Sequence, residues 1–130
     1  MTPTQITDGT SQPLTAAGPG APTTGLDISA IAAGTPYMLE VEVIALSSAT
    51  GTPRARIVIE DTVNAFTAAV PIAEFHVQGP IDKLTPIKLT AMHYASGGLR
   101  IGTASAKCRA NVVALDGGTP SLTFRAALHV

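Results

Sequence analysis

Between Tyr37 and Asp61 the chain carries two runs in which apolar and charged residues take turns, YMLEVEVIALSS and TPRARIVIED. In the first, Leu39, Val41 and Val43 alternate with Glu40 and Glu42; in the second, Ala55, Ile57 and Ile59 alternate with Arg54, Arg56 and Glu60. A period of two means a strand with one buried and one wet face, and no helix can satisfy it. If the two runs pair as a hairpin, Leu39 faces Ile57 and Val41 faces Ala55 on the core side. Glu40 then faces Arg56 and Glu42 faces Arg54 outside. A slip of one residue would split both charge pairs and turn the apolar face to water, so the pattern selects this register.

The rest of the chain repeats the theme. Ile72–Gln78, Ile87–Tyr94, Lys107–Leu115 and Ser121–Val130 all alternate, and Leu99–Thr103 is expected as a short strand. Gly79–Pro80, Ser96–Gly98 and Asp116–Gly118 punctuate them. For the last two runs a hairpin puts Val112 against Phe124, Ala110 against Ala126 and Cys108 against Leu128. Thr62–Ala69 fits either a helical turn or an irregular strand before Pro71. With about seven or eight such strands and no long helical pattern, the expected fold is all-β, an antiparallel β-sandwich or jelly-roll, with a closed barrel as the alternative. Only 4% of residues are aromatic and 13% charged, which agrees with many short strands and turns.

Residues 1–25 read differently. Pro3, Pro13, Pro19 and Pro22 forbid a helix, and the stretch is too poor in apolar residues to fold alone. It is expected to be an extended N-terminal arm, with 26–130 forming the β-sandwich domain. Ile6, Leu14, Leu26 and Ile28 are spaced as anchors for such an arm on a partner surface. Met38, Ile44, Leu46, Val58, Val113 and Leu115 fall on the parity opposite the core, an apolar outer face that calls for a neighbour.

Chemistry-bearing patterns are few. His76, His93 and His129 fall on different strands in no metal-binding spacing, so each reads as an ordinary strand residue. An enzyme would require one of them to converge with Glu74 or Asp82 in a cleft. Glu60, Asp61 and Asp82 lack the calcium-loop pattern and read as solvated strand ends. The single cysteine, Cys108, has inward parity and reads as a buried thiol rather than a nucleophile. No catalytic residue, metal or cofactor is expected. A formal net charge of −1 offers polyanions no general attraction, so nucleic acid is not an expected partner. The start MTPTQITDGTSQ has neither a basic segment nor an apolar one, and no apolar run approaches a membrane span, so no signal peptide, transmembrane segment or membrane partner is expected. Tyr37 and Tyr94 are the candidate ligand contacts, the two aromatic residues able to offer a platform to a sugar.

The Pro/Thr/Gly-rich arm Thr2–Gly25, the run EVEVIALSSATGTPRARIVIED and the terminal KCRANVVALDGGTPSLTFRAALHV resemble the small all-β structural proteins of tailed-phage virions, the head decoration or cement proteins above all. The resemblance implies a homo-oligomer, a trimer or other cyclic oligomer, made in the host cytoplasm and seated on the capsid exterior against the major capsid protein or another virion protein. It implies no catalytic residue. The alternative reading is a ligand- or carbohydrate-binding β-sandwich module of a receptor-binding or adhesin-like assembly.

Overall fold

The computed structural model describes residues 3–7, 13–20, 23–67, 69–93 and 99–130, with residues 91–93 described by their backbone. Among these residues there is no helix, and hence none long and apolar enough to cross a membrane. The strands are β1 (Pro3–Thr7), β2 (Gly18–Pro19), β3 (Leu26–Asp27), β4 (Tyr37–Ser47), β5 (Thr50–Thr62), β6 (Val70–Gln78), β7 (Ile87–His93), β8 (Lys107–Gly118) and β9 (Ser121–His129). They form two antiparallel sheets, one in the order β1-β9-β4-β7 and the other β2-β8-β5-β6, with β3 also pairing with β8.

The alternation does what it implies: Leu39, Val41 and Val43 from the first sheet and Ile57, Ile59, Ala110 and Val112 from the second are all buried in one shared core. The expected hairpins, however, do not form. β4 and β5 lie in different sheets, and so do β8 and β9. Leu39 faces Ala91 and Leu128 across its ladders, and Ile57 faces Phe75 and Val112. The charge pairs are therefore re-partnered. Glu42 Oε1 accepts from Arg125 Nε at 2.6 Å, while Arg56 Nε lies 3.1 Å from Glu74 Oε1. A period of two states which face is buried. It is equally satisfied by strands lying side by side and by strands facing each other across a core.

What replaces the hairpins is one long antiparallel ribbon. In β4–β9, Met38 faces His129 and Ser47 faces Ser121. In β5–β8, Thr50 faces Gly118 and Thr62 faces Lys107. Ser48–Ala49 and Thr119–Pro120 carry the two strands from one sheet to the other at the same place, where the Ala49 N–H donates to the Gly118 carbonyl at 2.8 Å. A side chain at Gly118 would collide with Thr50, and this is where the ribbon bends most tightly. A register shift between Val43 and Ala45 reverses the parity of β4, so Leu46 is fully buried rather than on the outer face.

Two further expectations need correction. Leu99–Thr103 is a turn rather than a strand, and of Thr62–Ala69 the part from Val63 to Thr67 is a turn whose entry is fixed by Thr62 Oγ1 accepting from the Asn64 and Phe66 N–H groups. The described parts of residues 1–25 lie against the chain's own sheets. β1 runs along β9, Leu14 exchanges two backbone hydrogen bonds with Leu122, and β2 runs along β8.

The re-partnering is measurable. In double-mutant cycles, Glu42 and Arg125 should couple by about 0.5 kcal/mol, as a half-exposed pair does. Glu42 and Arg54 should show no coupling, whereas the hairpin register requires it.

Candidate functional site

The proposed arm anchors are spent on the protein itself. Ile6 and Ile28 are 1% and 0% exposed within the core, and Leu14 and Leu26 pack against it half-buried. Tyr37 is buried, and its hydroxyl accepts from the Leu99 N–H at 2.7 Å, so it is no platform for a sugar. Burial is also the main cause of its phenol titrating above the usual 10.0. Tyr94 lies outside the described residues, as does the side chain of His93. His76 is exposed on β6 and His129 lies on β9 of the other sheet, so these two do not converge. His76 Nε2 lies 3.0 Å from Glu74 Oε1 on the exposed outer face of β6.

The apolar outer face is less bare than the sequence suggests. Met38, Ile44, Val113 and Leu115 are half-buried and Val58 is buried. Among the described residues the exposed large hydrophobics are Val70, Leu84 and Ile87, at 48%, 88% and 41%. Two of these flank Pro86, where the chain enters β7.

Charge chemistry is concentrated at the far end of β5 from the bend. Asp61, 1% exposed, takes a fork from Arg100: Nη2 to Oδ1 at 3.0 Å, and both Nε and the backbone N–H to Oδ2 at 3.2 and 2.9 Å. Next to it Arg109 Nε donates to Glu60 Oε1 at 2.8 Å, its guanidinium lies 4.1 Å above the Phe66 ring, and Nη1 donates to the Thr23 carbonyl at 3.1 Å. These two arginines tie four separate stretches of chain together. The backbone there is constrained: Ala65, Phe66 and Ser105 have φ of 52°, 62° and 64°, and a side chain at Gly25 would strike the Cys108 carbonyl. Asp82 stands away from this group, at the other end of the sheets, where its Oδ1 accepts from the Leu84 N–H. Among the described residues no group of acidic, histidine and cysteine side chains could hold a metal ion.

Two open grooves lie among the described residues. One, of about 450 Å³, crosses the outer face of β6, β5 and β8 and is lined by Arg54, Arg56, His76, Gln78 and Asp116 over the small Ala114. The other, of about 560 Å³, lies among the connections at the Asp61 end and offers Asp27, Ser29, Asn64, Ser105 and Lys107. Asp27 already accepts from the Ser29 hydroxyl and N–H, which hold its carboxyl below the usual range. Both grooves are lined largely by hydrogen-bonding and charged side chains.

Two measurements probe this end. Arg100→Met leaves the Asp61 carboxylate buried without a counter-charge and should cost roughly 3 kcal/mol in urea unfolding. Burial pushes the Cys108 thiol from its ordinary 9.0 up to about 12. Because the folded state raises the pKa of Cys108 and Tyr37, their neutral forms stabilise it fully below about pH 9. That contribution should be lost as the pH climbs towards 12, and thiol reagents should react with Cys108 only on unfolding. No protein-family model matches the chain, and no curated protein matches it.

Proposed function

We propose that this chain is a non-enzymatic structural protein of a tailed-phage virion, a decoration or cement protein that binds the capsid exterior as a homo-oligomer and stabilises the head by many repeated contacts. One observation carries the reading. Each of the three buried carboxylates, Glu42, Glu60 and Asp61, is bonded to an arginine from a distant part of the chain. Ionisable groups used this way act as struts between separate stretches of the chain. The strand order supports the architecture that goes with it. With β2 and β3 counted as one broken strand, the strand orders of the two sheets support a jelly-roll reading, a fold that serves in virion shells and in lectins. Weak contacts repeated over a lattice give avidity without a strong single site.

The alternative, a carbohydrate-binding module, draws support from the polar groove of Asp27, Ser29, Asn64, Ser105 and Lys107, whose groups suit sugar hydroxyls. The burial of Tyr37 counts against it.

Virions purified from the source should carry the chain on the head in fixed ratio to the major capsid protein, read by immunogold labelling and quantitative mass spectrometry. Heads lacking it should rupture at lower temperature and recover when the intact protein is added back. Labelling confined to the tail tip would favour the glycan-binding alternative, and absence from particles would sink both. The test needs the full chain: removing residues 1–25 strips β1 from β9 and Ile6 from the core, which should itself destabilise the fold by a few kcal/mol.

A further inference from the structure

The four outer edges of the two sheets are not equivalent. β1 carries Pro3 and a register shift between Gln5 and Thr7. β2 and β3 are two residues each. β6 carries Pro71 at the register shift between Ile59 and Glu60, with Glu74 and His76 exposed beside it. These are the devices by which sheets discourage further pairing: proline, bulge, shortness and charge. β7 has none of the first three. It runs seven residues in unbroken register, from Tyr37 opposite His93 to Val43 opposite Ile87, with no proline inside and Lys88 as its one Lys, Arg, Asp or Glu. Among the described residues nothing pairs with its outer edge.

The same strand has two of the three exposed large hydrophobics at its entry. Leu84 is held outward by a turn in which Asp82 Oδ1 accepts the Leu84 N–H at 2.6 Å and the Asp82 carbonyl accepts the Thr85 N–H at 3.1 Å. A row of backbone donors and acceptors guarded by a single lysine, beside fixed apolar groups, is an invitation to a further strand.

We propose that β7 pairs antiparallel with β7 of a second copy of this chain, joining the two β1-β9-β4-β7 sheets into one across a two-fold axis at Thr90. The strand's own sequence argues for this occupant. Overlapping Ile87–His93 fully with its reverse sets Thr90 opposite Thr90 of the partner subunit, position 89 opposite 91, and 88 opposite 92. Positions of one parity meet positions of the same parity, so the core-facing side of each sheet continues into the next. Lys88 meets a methionine position instead of itself, so no like charges oppose, and a Thr–Thr pair is a favourable cross-strand neighbour. The inference rests on the proposed function only in taking the partner to be another copy. It replaces the three-fold ring implied by the resemblance with a two-fold contact.

Light scattering on the full-length protein should give twice the 13.2 kDa chain mass, or an even multiple. Thr90→Lys sets like charges against each other on the axis, and should weaken the dimer at least about tenfold while circular dichroism stays unchanged. Thr90 is exposed and faces Glu40 within its own sheet, so the substitution leaves the monomer fold intact. Disulfide trapping reads the register directly. Thr90→Cys should form a covalent dimer under mild oxidant, with Cys108 buried and silent. Lys88→Cys should not, because two copies of position 88 lie four residues apart along the ladder, roughly 14 Å. A monomeric or trimeric wild type, or Lys88→Cys trapping as readily as Thr90→Cys, overturns the proposal. A dimer that fails to bind phage heads would overturn the virion reading and leave the β7 contact standing.

Discussion

The structure depends on a single antiparallel ladder, β4–β9 continued as β5–β8, bent once so that its two halves face each other. Nearly every core side chain comes from this ribbon or from strands laid along its margins: Leu39, Val41, Val43, Leu122, Phe124, Ala126 and Leu128 from one half, Ile57, Ile59, Cys108, Ala110 and Val112 from the other. Closing the bend is therefore the same event as forming the core. The contacts that do so join residues far apart in sequence, and a topology so dominated by non-local pairing pays its loop-closure entropy before burial rewards it.

The ribbon is fastened by polar chemistry at its bend and at the end remote from the bend. At the bend the Ala49 N–H and the Ser48 hydroxyl, which donates to the Gly51 carbonyl at 2.7 Å, hold the crossing tight. At the opposite end Asp61 and Glu60, adjacent on β5, bind Arg100 and Arg109 from the chain that leads into and along β8. Asp61 is almost wholly enclosed, so desolvation opposes its ion pair, and three hydrogen bonds from one arginine offset that cost. What the pair supplies is position: together with Leu99, Ile101 and Ala106, which are buried in the core, it fixes the 99–106 connection.

These differences explain what was legible in the sequence. The strands from Tyr37 onward were legible, because period-two alternation reports burial residue by residue, and Cys108 was legible as a buried thiol for the same reason. Their partners were not, since Leu39 has the same reason to be buried whether Ile57 lies beside it or across the core from it. Leu46 was misread because the register shift at Val43/Ala45 is a backbone event with no side-chain signature. Asp61–Arg100 spans 39 positions and breaks no local rule at either residue, so nothing nearby announces it. Tyr37 was read as a possible platform because an aromatic at a strand start suits a rim as well as a core. Only its hydroxyl's bond to the Leu99 N–H, across 62 positions, decides the matter.

The two open sides of the sheets are finished differently, and that asymmetry follows from chain order. On one side the chain's first described residues supply β1 to β9 and β2 and β3 to β8, so a segment with little capacity to fold alone becomes ordered by borrowing a ready-made edge. Its anchors Ile6 and Ile28 are fully buried there. On the other side β6 and β7 are joined by the crossing from Gly79 to Pro86, and no later part of the described chain returns to cover them. β6 carries its own guards in Pro71 and its charged outer face. β7 has only Lys88, so among the described edges it is the least protected against a further strand.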